Sequence, residues 1–409
     1  MTPILRYGLN ASVAIEPCEA TLLGCCGSPE VEPVDDIAAE VARSLSSPLD
    51  YPSLSAIVTP GDRIVLALAN EVPTAAEIVA AVVDYLVAHR VDPEAITVLR
   101  SARSADDDPC RLLSPELREL VASLVHTPNE REQLAYLATT DDGHAVLLHR
   151  AIVDADLVLP IGCFRGNVPA DYHGLHTPIY PTFSDRQTQH RFHGTTTLDS
   201  RGRRRKRLGH EADEVGWLLG ISFTIQVIPA VGNRPYRILS GQNDAVRHQA
   251  MQLYAELWQS TVPRRADVVL AAIDGDTDQQ TWVNLGRTLE TAAALVNPGG
   301  GIAVCTELSK LPGAAVNCLK AARSNEEALQ QIHRDEPDDA VAAVQLARAL
   351  DHCSVYLLSR LDDSLVEDLD MMPIDSADEL IRLANRCESL LLLGNASYAR
   401  VTVEEPSDE

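Results

Sequence analysis

Short runs of aliphatic residues, each followed by a stretch with helical spacing, constrain this chain more than any other feature. Arg63-Ile64-Val65-Leu66-Ala67-Leu68 reads as a buried strand. Pro73-Thr74 then opens a helix to about His89, with Ile78, Val79, Val82, Val83 and Leu86 at helical spacing. Further strands are expected at 95–99, 145–148 and 156–161, and a helix near 35–46. A helix is also expected over 114–125, where Ser114-Pro115-Glu116 offers a cap, a first-turn proline and a first-turn acid. Leu5, Tyr7 and Leu9, then Val13 and Ile15, alternate as a strand pair. After a linker at 261–263 a second unit follows: strand 267–272, helix 281–296, strand 301–305, helix 338–350, strand 353–359, helix 375–386, and strands 389–393 and 398–403. This alternation predicts an α/β fold with two domains, 1–262 and 263–409, each a mostly parallel sheet flanked by helices.

Composition supports that reading. Aromatics are only 4% of the residues, so the cores must be built from Ala, Val, Leu and Ile, as buried parallel strands are. The 409 residues carry 34 Lys+Arg against 59 Asp+Glu, a net charge of −25. Such a surface repels phosphate and excludes nucleic-acid binding through the global field. No apolar run reaches the roughly 18–20 residues of a membrane span, so no membrane partner is expected. Leu22-Leu23-Gly24-Cys25 has the look of a lipoprotein cleavage box. Asn10, Glu16 and Glu19 break the apolar stretch that a signal peptide needs, and the expected location is the cytoplasm. Nine cysteines without a Cys-x-x-Cys pair read as reduced thiols rather than a disulfide framework or zinc site.

From 162 to 210 the alternation breaks into a polar stretch, and segments of that length are commonly functional or disordered. The basic run 201–207 within it reads as an exposed loop, with a helix resuming near 212–219, a strand at 222–228 and a helix at 243–260. His173-Gly174-Leu175-His176 and His190-Arg191-Phe192-His193 form two His-x-x-His pairs. That spacing suits imidazole ligation of a divalent metal or proton transfer near neutral pH; the alternative is a His-rich polar loop. Arg100, Arg103 and Arg165 follow expected strand ends, where open α/β sheets bind ligands. Arginine grips carboxylates as a fork, so a small-molecule carboxylic acid is the expected partner, with surface arginine as the alternative. Asn297-Pro298-Gly299-Gly300-Gly301 reads as an anion-binding turn or simply as a turn.

Several of these segments stand in a familiar order. Leu5-Arg6-Tyr7-Gly8, the stretch 53–58, Pro60-Gly61-Asp62-Arg63-Ile64-Val65, Asp154 through Gly162, and Val296-Asn297-Pro298-Gly299-Gly300 with Glu307 together resemble the nickel-dependent lactate racemase family, most clearly over 5–310. The resemblance implies two α/β domains with the site in the cleft between them. It implies racemisation of a small 2-hydroxy acid by hydride transfer to a lysine-tethered nickel-pincer nucleotide, with two histidines as acid/base pair. Of the family's loop Asp-x-Thr-Arg-Pro-Thr, Ala69-Asn70-Glu71-Val72-Pro73-Thr74 keeps only Pro73 and Thr74, both carried over as cofactor-binding residues.

Arg103 falls at the first catalytic histidine, Asn167 near the second and Thr177 near the tethering lysine. His193 matches a nickel-ligand histidine, with His190 beside it, while Asn284 and Arg287 fall where a glutamine and a cofactor-contacting lysine sit. Arg103 stays protonated and Asn167 does not titrate, which leaves His173 and His176 as the nearby acid/base candidates. The resemblance thus implies a lactate racemase-like isomerase with a substituted site, using a nickel-pincer nucleotide, another divalent metal or none. The alternatives are a diverged metal-dependent enzyme built on His173, His176, His190 and His193, and a non-catalytic homologue that binds an organic acid or nucleotide.

Overall fold

The computed structural model describes residues 2–15, 20–101, 108–166, 174–198, 203–322 and 324–404. Its strands in chain order are β1 (Ile4–Tyr7), β2 (Ala11–Ala14), β3 (Thr21–Cys26), β4 (Ile64–Leu68), β5 (Ile96–Ser101), β6 (Ala122–His126), β7 (Leu134–Thr139), β8 (Ala145–His149) and β9 (Leu157–Cys163). They continue as β10 (Phe223–Pro229), β11 (Pro235–Gln242), β12 (Gln259–Val262), β13 (Ala266–Ala272), β14 (Val296–Cys305), β15 (Ser354–Leu358), β16 (Met372–Pro373), β17 (Ser389–Leu393) and β18 (Arg400–Val403).

Among the described residues, two six-stranded sheets form the frame, ordered β11-β10-β9-β4-β5-β6 and β16-β15-β14-β13-β17-β3. Every pair in them is parallel except β10 with β11. The fold is therefore α/β. Every residue of β4, β10 and β17 is buried, which parallel strands covered on both faces require. The helix Ala75–Ala88 buries Ile78, Val79, Val82, Val83 and Leu86 against the first sheet's core. Each such side chain contributes roughly 1.5–3 kcal/mol relative to exposure. The pair β1–β2 forms as its alternation predicts, antiparallel with Leu5 opposite Val13.

Four sequence expectations are corrected. The helix expected over 114–125 is Pro115–Leu120 only, and the chain then runs on as edge strand β6. There β5 offers free hydrogen-bonding groups that pair Thr97 with Ala122, and this tertiary partner overrides helix propagation. The linker at 261–263 is instead the end of β12, paired in parallel with β18. The basic run belongs, from residue 203, to a helix Arg203–Leu218, in keeping with the good helix propensity of Arg and Lys. The polar stretch also holds a helix Arg186–His193, whose start is capped by Asp185 accepting from the N–H groups of Gln187 and Thr188.

Residues 4–15 and 20–26 are built with the second sheet although they precede the first in the chain. β3 pairs with β17, and Leu5, Val13 and Ile15 pack into the second sheet's core. Among the described residues no helix is long and apolar enough to cross a membrane.

Candidate functional site

The carboxyl ends of strands from both sheets open on one cavity of about 370 Å³. Leu68 ends β4 and Cys163 ends β9 on one wall; Gln279 follows β13 and Lys310 follows β14 on the other. Carboxyl ends of parallel strands are where open α/β sheets place ligands, and the volume lies at the small end of ligand pockets.

Two buried arginines meet in this cavity. Arg165 follows β9, and Arg287 projects from the helix Trp282–Ala293. Each forms an ion pair with the same Glu71 oxygen: Arg165 Nη2 lies 2.8 Å and Arg287 Nη1 2.8 Å from Oε2. Arg165 is held from behind by Tyr398, whose ring centroid lies 4.6 Å from the guanidinium carbon and whose hydroxyl accepts from Nη2 at 3.2 Å. Arg287 Nη1 also donates to Asn284 Oδ1 at 2.9 Å, and the Asn284 amide is fixed by donating to the Gln279 carbonyl at 2.9 Å. Glu71 has φ +59°, a left-handed backbone that costs a non-glycine residue and persists where its surroundings hold it. The two ion pairs are what hold it.

Two lining residues also carry donors without acceptors. Arg165 Nη1 and Gln345 Nε2 are buried with no hydrogen-bond partner, and both residues line the cavity. A buried unsatisfied donor costs about 1–3 kcal/mol, so an acceptor brought by a ligand is stabilised there. Cys163, on the same lining, has its thiol pushed up to about 11 by burial, with Arg165 opposing, and stays protonated at neutral pH.

The residues singled out in the sequence divide into groups. Arg103, Asn167 and His173 lie outside the described residues. Arg287, Thr177 and His193 line the cavity, and Asn284 braces Arg287. Pro73 and Thr74 stand at the start of the helix Ala75–Ala88, between the lining residues Val72 and Ala75. His176 is buried away from the lining, with Nε2 3.6 Å from Asp213 Oδ1 and its ring packed on Gly216. Burial lowers its pKa, while Asp213 opposes the shift. His190 Nδ1 faces Glu336 Oε2 at 3.5 Å. Arg100 is not on the lining either.

Glu71, Gln345 and Tyr398 were not found by sequence reasoning. Glu71 reaches across 216 residues to Arg287, and one sequence carries no signal of such a pairing.

Residues 7–205 match the family model described as the lactate racemase N-terminal domain. Over that stretch, just under half of its 409 residues, the chain is similar to lactate racemase. The fold agrees. The lactate racemase apoprotein from Thermoanaerobacterium thermosaccharolyticum superposes with a TM-score of 0.76 at 14% identity, over 98% of this chain and 100% of that one. A crystal structure of a protein from Thermotoga maritima gives 0.66 at 10% identity, over 91% and 100%. No curated protein matches the chain by sequence.

The residues present do not fit a lysine-tethered nickel nucleotide. At the tether position Thr177 offers a hydroxyl, which accepts from the Gly174 N–H at 2.7 Å and caps a turn. Lys310 lies on the other wall. Among the described residues no three His, Cys, Asp or Glu side chains group to hold a metal.

Proposed function

We propose that this lactate racemase-like protein binds a small 2-hydroxy carboxylic acid in the cavity, and does so without a tethered nickel nucleotide. The observation that carries this reading is the convergence of two buried arginines on the lining, Arg165 and Arg287, with Arg165 Nη1 left without a hydrogen-bond partner. A ligand carboxylate placed there completes the guanidinium's hydrogen bonding, and Gln345 Nε2 supplies a second donor from the other wall. Thr177, Thr182 and His193 line the same space and suit a ligand hydroxyl. Among the described residues His193 is the imidazole on the lining, and His176 and His190 point to Asp213 and Glu336. The arrangement therefore favours recognition of the acid over two-base racemisation.

Titration calorimetry with lactate tests the reading. Saturable binding is expected, weakened about tenfold or more by Arg287→Gln, in line with the loss of a charge-assisted hydrogen bond. Absence of saturable binding by the wild-type protein overturns it. Intact mass after production alongside the cofactor pathway is expected to equal the sequence mass, and a nucleotide adduct would show the second half of the proposal wrong.

A further inference from the structure

We infer that Glu71 determines the charge class of anion that the cavity accepts, favouring monocarboxylates over dicarboxylates; this rests on the carboxylate-binding reading above. Two buried guanidinium groups alone would make a seat of charge +2. Glu71 places its carboxylate between them, 2.8 Å from each, and reduces the seat to +1. Arg165 and Arg287 are almost wholly buried, and Glu71 is itself only partly exposed, so these three charges act in a medium far less screening than water.

The other ionised groups on the lining are Asp278, Asp338 and Lys310, all exposed. Asp338 is also paired outward with Arg186 at 2.5 Å. Two acids against one lysine add no net positive charge, and the solvent around them weakens each contribution.

The inference follows from electrostatics rather than fit. A cavity of about 370 Å³ has room for lactate and for malate, which share the 2-hydroxy acid group and differ by one carboxylate. One carboxylate matches the net charge of the seat. The second meets a cavity whose available positive charge is already neutralised by Glu71. The residue cannot easily turn away, because both arginines hold the same oxygen. At the position the family resemblance gives to a threonine, this chain has built a fixed counter-charge into its own anion seat.

The test compares lactate and malate affinities by calorimetry in the wild-type protein, Glu71→Gln and Glu71→Asp, each checked for folding by thermal unfolding. The wild type is expected to bind lactate more tightly. Glu71→Gln, which removes the charge and keeps the shape, is expected to raise the malate-to-lactate affinity ratio on the order of tenfold. Glu71→Asp keeps the charge and is expected to leave the ratio within about threefold. An unchanged ratio in a folded Glu71→Gln protein that still binds both acids overturns this inference and leaves the carboxylate reading standing. Tighter malate than lactate binding by the wild type overturns it without any variant. If no protein binds either acid, both readings fall together.

Discussion

The arginine pair and the histidine cluster make opposite use of distance along the chain. Arg165 follows a strand of the first sheet and Arg287 lies on a helix between strands of the second, yet they converge on one oxygen of Glu71. His176, His190 and His193 sit within one short stretch, yet they diverge to Asp213, Glu336 and the cavity. Proximity in sequence is thus a poor guide to a site in this architecture. Parallel sheets gather residues from strand ends that are far apart, and the helices between them send neighbouring side chains in different directions.

The comparison can be broken at three places. Arg165→Met removes one buried partner of the Glu71 ion pairs and is expected to cost roughly 3 kcal/mol in denaturant unfolding, with loss of lactate binding. A cost under about 1 kcal/mol would mean that the pair is not the organising contact.

The second place is a pair of core histidines away from the cavity. His149 is buried beside His126, with ring centroids 5.6 Å apart, and burial lowers its pKa to about 4. The unfolded chain has the ordinary value near 6.5 and binds more protons between those values. Stability is therefore expected to fall as pH drops from about 6.5 to 4, by on the order of 3 kcal/mol. Burial shifts His126 in the same direction. His149→Gln should flatten most of that slope in denaturation midpoints taken at pH 7 and pH 4.5; an unaltered slope would assign it to other groups.

The smallest effect is expected at His190. Its contact with Glu336 is half-exposed, so His190→Ala should change stability by less than about 1 kcal/mol and leave lactate binding untouched. A loss of binding would return the histidine cluster to the site.

The sequence made the central strands and their helices plain, because Ile64–Leu68 and 389–393 are unbroken aliphatic runs and Ile78 to Leu86 keep helical spacing. It hid elements whose existence depends on a distant partner. Gln259–Val262 is a strand because β18 lies beside it, and Ala122–His126 because β5 does. The helix Asn325–Asp335 was legible and overlooked: Ser324 followed three residues later by Glu327 is a capping signal, and the Ser324 hydroxyl does accept from the Glu327 N–H. At the site, Arg165 and Arg287 were visible as residues that follow a strand end or match a family position. Their joint partner was not, since Glu71 read only as a departure from the family's loop.

The placement of β3 bears on how the molecule is made. Thr21–Cys26 pairs with Ser389–Leu393, and Asn395 donates to the Gly27 carbonyl across 368 residues. During synthesis from the N-terminus, the first sheet has all its strands once Gln242 emerges, while β3 must wait for nearly the whole chain. The opening strands therefore act as a clasp closed last. A chain cut near residue 262 would leave one half with an orphaned strand and the other with an open sheet edge.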